Sequence, residues 1–285
     1  MDASEIDSNK FEEYKQYILR MVRSSSVIKE PYYHLYIDGV FPAELYTSLK
    51  QRMLEYKYGG KLQDRHQDSK QFINSRYSLV ENKELEVLYL RALFSDPDIK
   101  RAFLEKFYVD ANDELVSGLK IHHEFEFMYT KAGRFQNIHV DIPSKFLSFV
   151  FYFPENEVDA DTADHNGTVV YDKNLKPHHS AKYTDNSLCI FAPHFYSYHG
   201  FSSTIDREVL VMFYIHEVEQ AKWQALRRTK EDIAPYTLIK NATEDKLIRY
   251  PIFEFADEGK IAVEKEACLI NAPQGRVMIT EAESN

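Results

Sequence analysis

NIHVDIPSKFLSFVFYFP, Asn137 to Pro154, is the stretch on which the fold turns. It begins with His139 and Asp141, one residue apart, and runs on into a nearly unbroken apolar segment. On an extended chain, residues i and i+2 face the same side, so the imidazole and the carboxylate can reach a single ion. The apolar segment behind them reads as a buried strand. A His-x-Asp triplet in a chain with 11 histidines carries little weight alone, so the rest of the sequence must supply what a metal site needs.

Outward from this stretch, LKIHHEFEFMYT, SKFLSFVFYF, GTVVYD, NSLCIFAP and EVLVMFYIHEV are short segments rich in Val, Phe and Tyr, separated by Gly, Pro, Asn and Asp. No helical crossover separates them, which predicts an antiparallel barrel or jelly roll rather than a parallel sheet. The region before residue 119 reads differently. Phe11, Tyr14, Ile18 and Met21 recur at helical spacing, PYYHLYIDGVF reads as a strand, and PAELYTSLKQRMLEYK follows as a helix with Pro42 in its first turn. GGKLQDRHQDSK is polar and aperiodic and reads as a loop, QFINSRYSLV as a strand, and two more helices are expected between Lys83 and Phe107. After Ile215, EVEQAKWQALRRTKED is expected to be a helix, in which Trp223 packs on the barrel. The chain is thus α+β with a mainly β core. Its expected parts are an N-terminal helical and strand support region (1–118), a barrel core (119–215) and a C-terminal helix and extension (216–285).

A third ligand for His139 and Asp141 must come from a distant strand, because two histidines and one carboxylate on one face of an octahedral ferrous ion leave the other face open for reactants. His199 follows an apolar strand and precedes a Gly turn, and eight residues on, Arg207 heads the next strand. His194 lies in the same loop and competes for the role; the His-Gly-Phe turn and the shorter run to Arg207 favour His199. An arginine in a mostly apolar barrel is costly unless an anion pairs with it.

His139-x-Asp141, His199 and Arg207 together resemble the signature of the iron(II)- and 2-oxoglutarate-dependent oxygenases, and FEFMYTKAGRFQNIHVDIPSKFLSFVFYFP and NGTVVYD resemble the prolyl 4-hydroxylase-like branch. The likeness covers about Leu119 to Ile215. It implies a double-stranded β-helix, the cupin-like form of the jelly roll, with helices supporting one sheet. It further implies that His139, Asp141 and His199 hold iron(II) and that Arg207 pairs with the distal carboxylate of 2-oxoglutarate, which with dioxygen is a co-substrate. Tyr152, on one strand face with Ser148, matches a tyrosine that bonds that carboxylate, and Tyr129 one that projects to the iron-bound end. One departure is the interval from His199 to Arg207, a residue or two shorter than in the branch; Lys222 and Arg227 are poor substitutes outside the strand. Asp141 argues against a halogenase, in which a small residue replaces the carboxylate. Arg134, Gln136, Arg76 and Asn74 are the candidate substrate contacts.

The bulk properties set the class. A chain of 285 residues, 44% hydrophobic and 14% aromatic, can bury one large core, or one core with a smaller appendage. A net charge of −10 argues against nucleic acid as the main partner. No window is long and apolar enough for a membrane span, and the acidic start MDASEIDSNKFEEYKQ is unlike a signal peptide, so a cytoplasmic protein is expected. Cys189 and Cys268 read as reduced thiols. His122, His123 and Phe213 read as core or rim residues, and His178 and His179 as a solvated loop. The expected activity is hydroxylation of an aliphatic carbon of a small molecule, an amino acid or biosynthetic intermediate, with release of succinate and carbon dioxide. A prolyl-type protein hydroxylase is the alternative on the same centre. A catalytically silent cupin-like binding barrel is the rival from another class, and it requires that His139, Asp141 and His199 not converge.

Overall fold

The strand behind the ligand pair, β6 (Lys145–Tyr152), sits in the middle of a sheet and is buried on both faces. Leu147, Phe149 and Phe151 face a core shared with the helices, while Val150 and Tyr152 face a second core inside the barrel. Burial on both sides explains why the segment is apolar almost throughout instead of alternating with polar residues. The computed structural model describes residues 6–67, 71–107, 121–139, 141, 145–193 and 197–216, together with four short strands between 239 and 261.

The remaining strands of the main body are β1 (His34–Asp38), β2 (Gln63–Gln67), β3 (Gln71–Ser78), β4 (Ile121–Thr130), β5 (Phe135–His139), β7 (Val169–Tyr171), β8 (Pro177–Ser180), β9 (Ser187–Phe191), β10 (His199–Ser202) and β11 (Arg207–His216). A seven-stranded sheet has the order β1-β9-β6-β11-β4-β3-β2, and a four-stranded sheet the order β5-β10-β7-β8. From β4 to β11 the chain passes back and forth between the two, and the sheets face each other across the inner core. This is a double-stranded β-helix, as expected. The helices α1 (Ser8–Ser24), α2 (Ala43–Tyr58), α3 (Leu85–Ser95) and α4 (Pro97–Phe107) cover the outer face of the larger sheet. Phe94 and Phe103 carry much of that contact, stacking edge-on against Phe149 at 6.0 and 5.0 Å between ring centroids. Asp7 caps α1, its carboxylate accepting from the backbone N–H groups of Asn9 and Lys10 at 2.8 and 3.0 Å.

Three local expectations need correction. Gln63–Gln67, read as loop, is an edge strand paired with β3, and the Ser75 hydroxyl donates to the Asp64 carboxylate across it at 2.7 Å. Polar residues suit an edge that faces water, and pairing overrides the weak local signal. His178 and His179 likewise lie on a strand, β8, and not in a loop. A short helix, α5 (Ala160–Asn166), capped by Asp159, precedes β7 where no helix was expected. The helix expected after Ile215, with Trp223, lies outside the described residues, as does Cys268; Cys189 is a buried free thiol. Among the described residues no helix is long and apolar enough to cross a membrane.

One buried ion cluster joins α2 to the barrel. Lys57 Nζ donates to Glu155 at 2.7 Å and to Glu208 at 2.6 Å, and the Tyr183 hydroxyl donates to the other Glu208 oxygen at 2.9 Å. Burial alone would lower the Lys57 pKa, but the two carboxylates raise it above the usual lysine value. Removing one member of a buried pair strands the other charge. Lys57→Met is therefore expected to destabilise the fold by roughly 3 kcal/mol in urea unfolding, with Lys57→Met/Glu208→Gln recovering part of the loss.

Candidate active site

β5 and β10 are neighbours, and His139 stands directly opposite His199 in their register. Residues opposite each other across a ladder project to the same face, so both imidazoles enter the barrel, with ring centroids 4.2 Å apart. Asp141, just past β5, completes the group: the ligand atoms of His139, Asp141 and His199 all lie within 4.8 Å of one another. The silent-barrel alternative required that they stay apart.

Each ligand is oriented by a neighbour. His199 Nδ1 is 2.9 Å from the Ser197 carbonyl, which fixes the tautomer and leaves Nε2 for a metal. Burial and the adjacent His139 push the His199 pKa down to about 3, so the ring is neutral. For Asp141, burial alone would favour the acid, but Lys145 and the two imidazoles hold its pKa well below the usual carboxylate range. Lys145 Nζ donates to Asp141 Oδ1 at 2.8 Å, and the Ser148 hydroxyl donates to Oδ2. Two imidazoles with an ionised, hydrogen-bonded carboxylate are the donor set that an octahedral ferrous ion accepts. The Gln136 side-chain amide lies 3.0 Å from His139 Nε2, so Gln136 belongs to this cluster.

The second cluster lies at the other end of the inner core. Arg207 is 2% exposed, and its guanidinium carbon sits 4.0 Å from the Phe201 ring centroid and 5.5 Å from that of Tyr152. Its Nε donates to the Asn166 carbonyl at 3.0 Å and its Nη2 to Thr168 Oγ1 at 3.2 Å. The carbonyl belongs to the C-terminal end of α5, whose dipole favours a cation. Among the described residues no carboxylate lies within ion-pair distance of Arg207, which leaves a buried cation that calls for an anion. Burial pushes its pKa down from the usual arginine value.

The Tyr152 hydroxyl donates to Thr168 Oγ1 at 2.8 Å and accepts from the Thr168 N–H at 3.0 Å. Thr168 Oγ1 therefore accepts from both Tyr152 and Arg207, and its own O–H remains as a donor. Neither Thr168 nor Asn166 was expected from the sequence; the Asn-Gly turn signal before a Val-rich strand was their only mark. Gly167 between them is required for space. A Cβ there would stand 1.5 Å from the Ala181 carbonyl oxygen, on the backbone of the neighbouring segment. Gly167→Ala is expected to push Asn166 and Thr168 away from Arg207 and to weaken binding of a dicarboxylate, read by calorimetry, more than it weakens metal binding.

Tyr129 is not part of either cluster. On β4, Phe125, Phe127 and Tyr129 face the helices and Met128 faces the barrel, so strand alternation turns Tyr129 away from the site. Its hydroxyl donates to Asp206 at 2.7 Å and its ring lies under Lys57 Nζ at 4.4 Å. Asn74 and Arg76 lie on β3, two strands from β11. Arg76 donates from Nε to Asn74 Oδ1 at 2.8 Å and from Nη1 to Glu126 at 2.6 Å, and the Asn74 amide nitrogen is buried without a partner. Arg134 is exposed in the turn before β5, its carbonyl accepting from the Ser203 N–H at 2.8 Å. His194, Lys222 and Arg227 lie outside the described residues.

The fold and the two clusters together define the architecture of a double-stranded β-helix with a two-histidine, one-carboxylate centre. Solved structures share that fold. A Pseudomonas putida prolyl-4-hydroxylase is 14% identical, with a TM-score of 0.50 over 70% of this chain and 98% of that one. A prolyl hydroxylase from Trichoplax adhaerens, in complex with a hypoxia inducible factor oxygen degradation domain peptide fragment, is 12% identical, with a TM-score of 0.50 over 77% of this chain and 99% of that one. No family model matches the sequence, and no curated protein matches it either.

Proposed function

We propose that the chain is an iron(II)- and 2-oxoglutarate-dependent dioxygenase that hydroxylates an aliphatic carbon of a small polar molecule, with residues 119–215 as its catalytic core, 1–118 as support and 216–285 as an extension. The observation that carries this reading is the pairing of two clusters in one barrel. His139, Asp141 and His199 lie within 4.8 Å of one another, and a buried arginine without a described carboxylate partner lies at the far end.

His139, Asp141 and His199 hold iron(II), and Ser148 and Lys145 keep the Asp141 carboxylate ionised and aimed. Arg207 receives the distal carboxylate of 2-oxoglutarate through its remaining N–H groups, with the Thr168 hydroxyl as a second donor. Tyr152 holds that hydroxyl through its own hydrogen bond to Thr168 Oγ1. Gln136, beside His139, lines the reactant side. When bound, the metal and 2-oxoglutarate supply the reduction of dioxygen, coupled to decarboxylation to succinate, that oxidises the substrate carbon. Asn74, Arg76 and Glu126 give the wall at β3 and β4 a polar, charge-paired surface that suits a small polar substrate, and Arg134 stands at the outer turn. The buried free Cys189 suits a reducing compartment, the cytoplasm.

The test has two arms. Anaerobic iron(II) with 2-oxoglutarate should give a visible absorption band, and its absence from the intact chain would overturn the assignment. A metabolite screen for substrate-stimulated succinate release then identifies the substrate. Because the Trichoplax neighbour was solved with a peptide, proline-containing peptides belong in the screen, and their selective turnover would replace the small molecule with a protein substrate.

A further inference from the structure

The row of residues that carries the two histidine ligands continues past them. In the four-stranded sheet His139 is opposite His199, His199 opposite Val170, and Val170 opposite His179. In the facing sheet His34 is opposite Phe191 and Phe191 opposite Ser148. The rows form one layer of the barrel: the Phe191 ring lies 4.3 Å from that of His199, and the His34 ring 5.5 Å from that of His179. His179 is two strand spacings, roughly 10 Å, from His199.

His34 is 1% exposed, its Nδ1 is 2.8 Å from the Tyr32 carbonyl, and its Nε2 is buried without a partner. A donor to the carbonyl at Nδ1 makes Nε2 a lone pair with nothing to accept from, a cost that a fold does not ordinarily bear. Two imidazoles bound to one tetrahedral ion at about 2.0–2.1 Å per bond have ring centroids about 5 Å apart, close to the observed spacing. β1 and β8 are also terminal strands, each at the end of its own sheet, with no ladder between them.

We propose that His34 and His179 form a second metal site, independent of the iron centre, for a divalent ion of the zinc type that clips the two sheet edges together. Imidazole suits zinc, copper and nickel, and solvent at the half-open rim supplies further ligands. Burial pushes the His34 pKa down to about 4, which keeps the ring neutral and ligand-competent.

Zinc titration of the full chain by calorimetry, with thermal melts, tests this. The parent is expected to bind two ions, His179→Gln one, Asp141→Ala one, and Asp141→Ala/His179→Gln none. Zinc should raise the melting temperature of Asp141→Ala but not of the double variant. His179 lies on the exposed edge strand, so its replacement leaves the core packing intact. If His179→Gln matches the parent in both stoichiometry and zinc-induced shift, the second site does not exist. If instead Asp141→Ala matches the parent, the iron-centre reading fails while the His34–His179 site stands.

Discussion

Replacing Asp141 with alanine is expected to abolish turnover and to weaken iron(II) binding by well over about 100-fold. Loss of a residue that merely orients a ligand costs 10–100-fold, and loss of the only anionic ligand costs more. The variant also leaves Lys145 next to two imidazoles with no counter-charge, so any cation entering the site meets repulsion where it previously met a carboxylate. The measurement is anaerobic iron(II) titration followed by the absorption of the 2-oxoglutarate complex, with circular dichroism to establish folding. An Asp141→Ala protein that retains the band would remove the carboxylate from the ligand set. Ser148→Ala, which keeps the carboxylate and removes one of its hydrogen bonds, provides the graded comparison.

The second large effect is expected at Arg207. Hydrogen bonds to charged groups contribute about 1.5–3 kcal/mol each, and a bidentate pair supplies two. Arg207→Met should therefore raise the KM for 2-oxoglutarate by roughly 100-fold or more. Iron(II) affinity measured without 2-oxoglutarate should hardly change, because Arg207 touches Asn166, Thr168 and the rings of Phe201, Tyr152 and Tyr183 and none of the three ligands. Arg207→Lys keeps the charge but loses the fork geometry, and should fall between parent and Met. Equal loss of metal and 2-oxoglutarate binding in Arg207→Met would mean that the arginine supports the fold instead of receiving the co-substrate.

The barrel was legible because its strands are unusually apolar and closely spaced, and the triad because His139-x-Asp141, His199 and Arg207 together resemble a known signature that no one of them carries alone. What could not be read were relations set by register. Nothing local in EFEFMYT says which alternate residue faces inward; pairing with β11 and β3 decides it, and it sends Tyr129 to the helices. Thr168 acquires its place only when the segment before β7 crosses to Tyr152, and Lys145 reaches Asp141 only because the chain reverses between them. β2 and β8 lack a hydrophobic pattern because each is an edge, held by backbone pairing that composition does not encode.

The two-sided burial of β6 also bears on how such a chain can change. A one-residue deletion in this strand would exchange its faces, sending phenylalanines toward the inner core and Ser148 and Tyr152 toward the helices. Packing and chemistry are therefore inherited as a single unit there, and neither can drift without the other. β2, the polar edge strand at the sheet's margin, pairs on one side only. New substrates are expected to be acquired by altering that margin while the central strand stays in register.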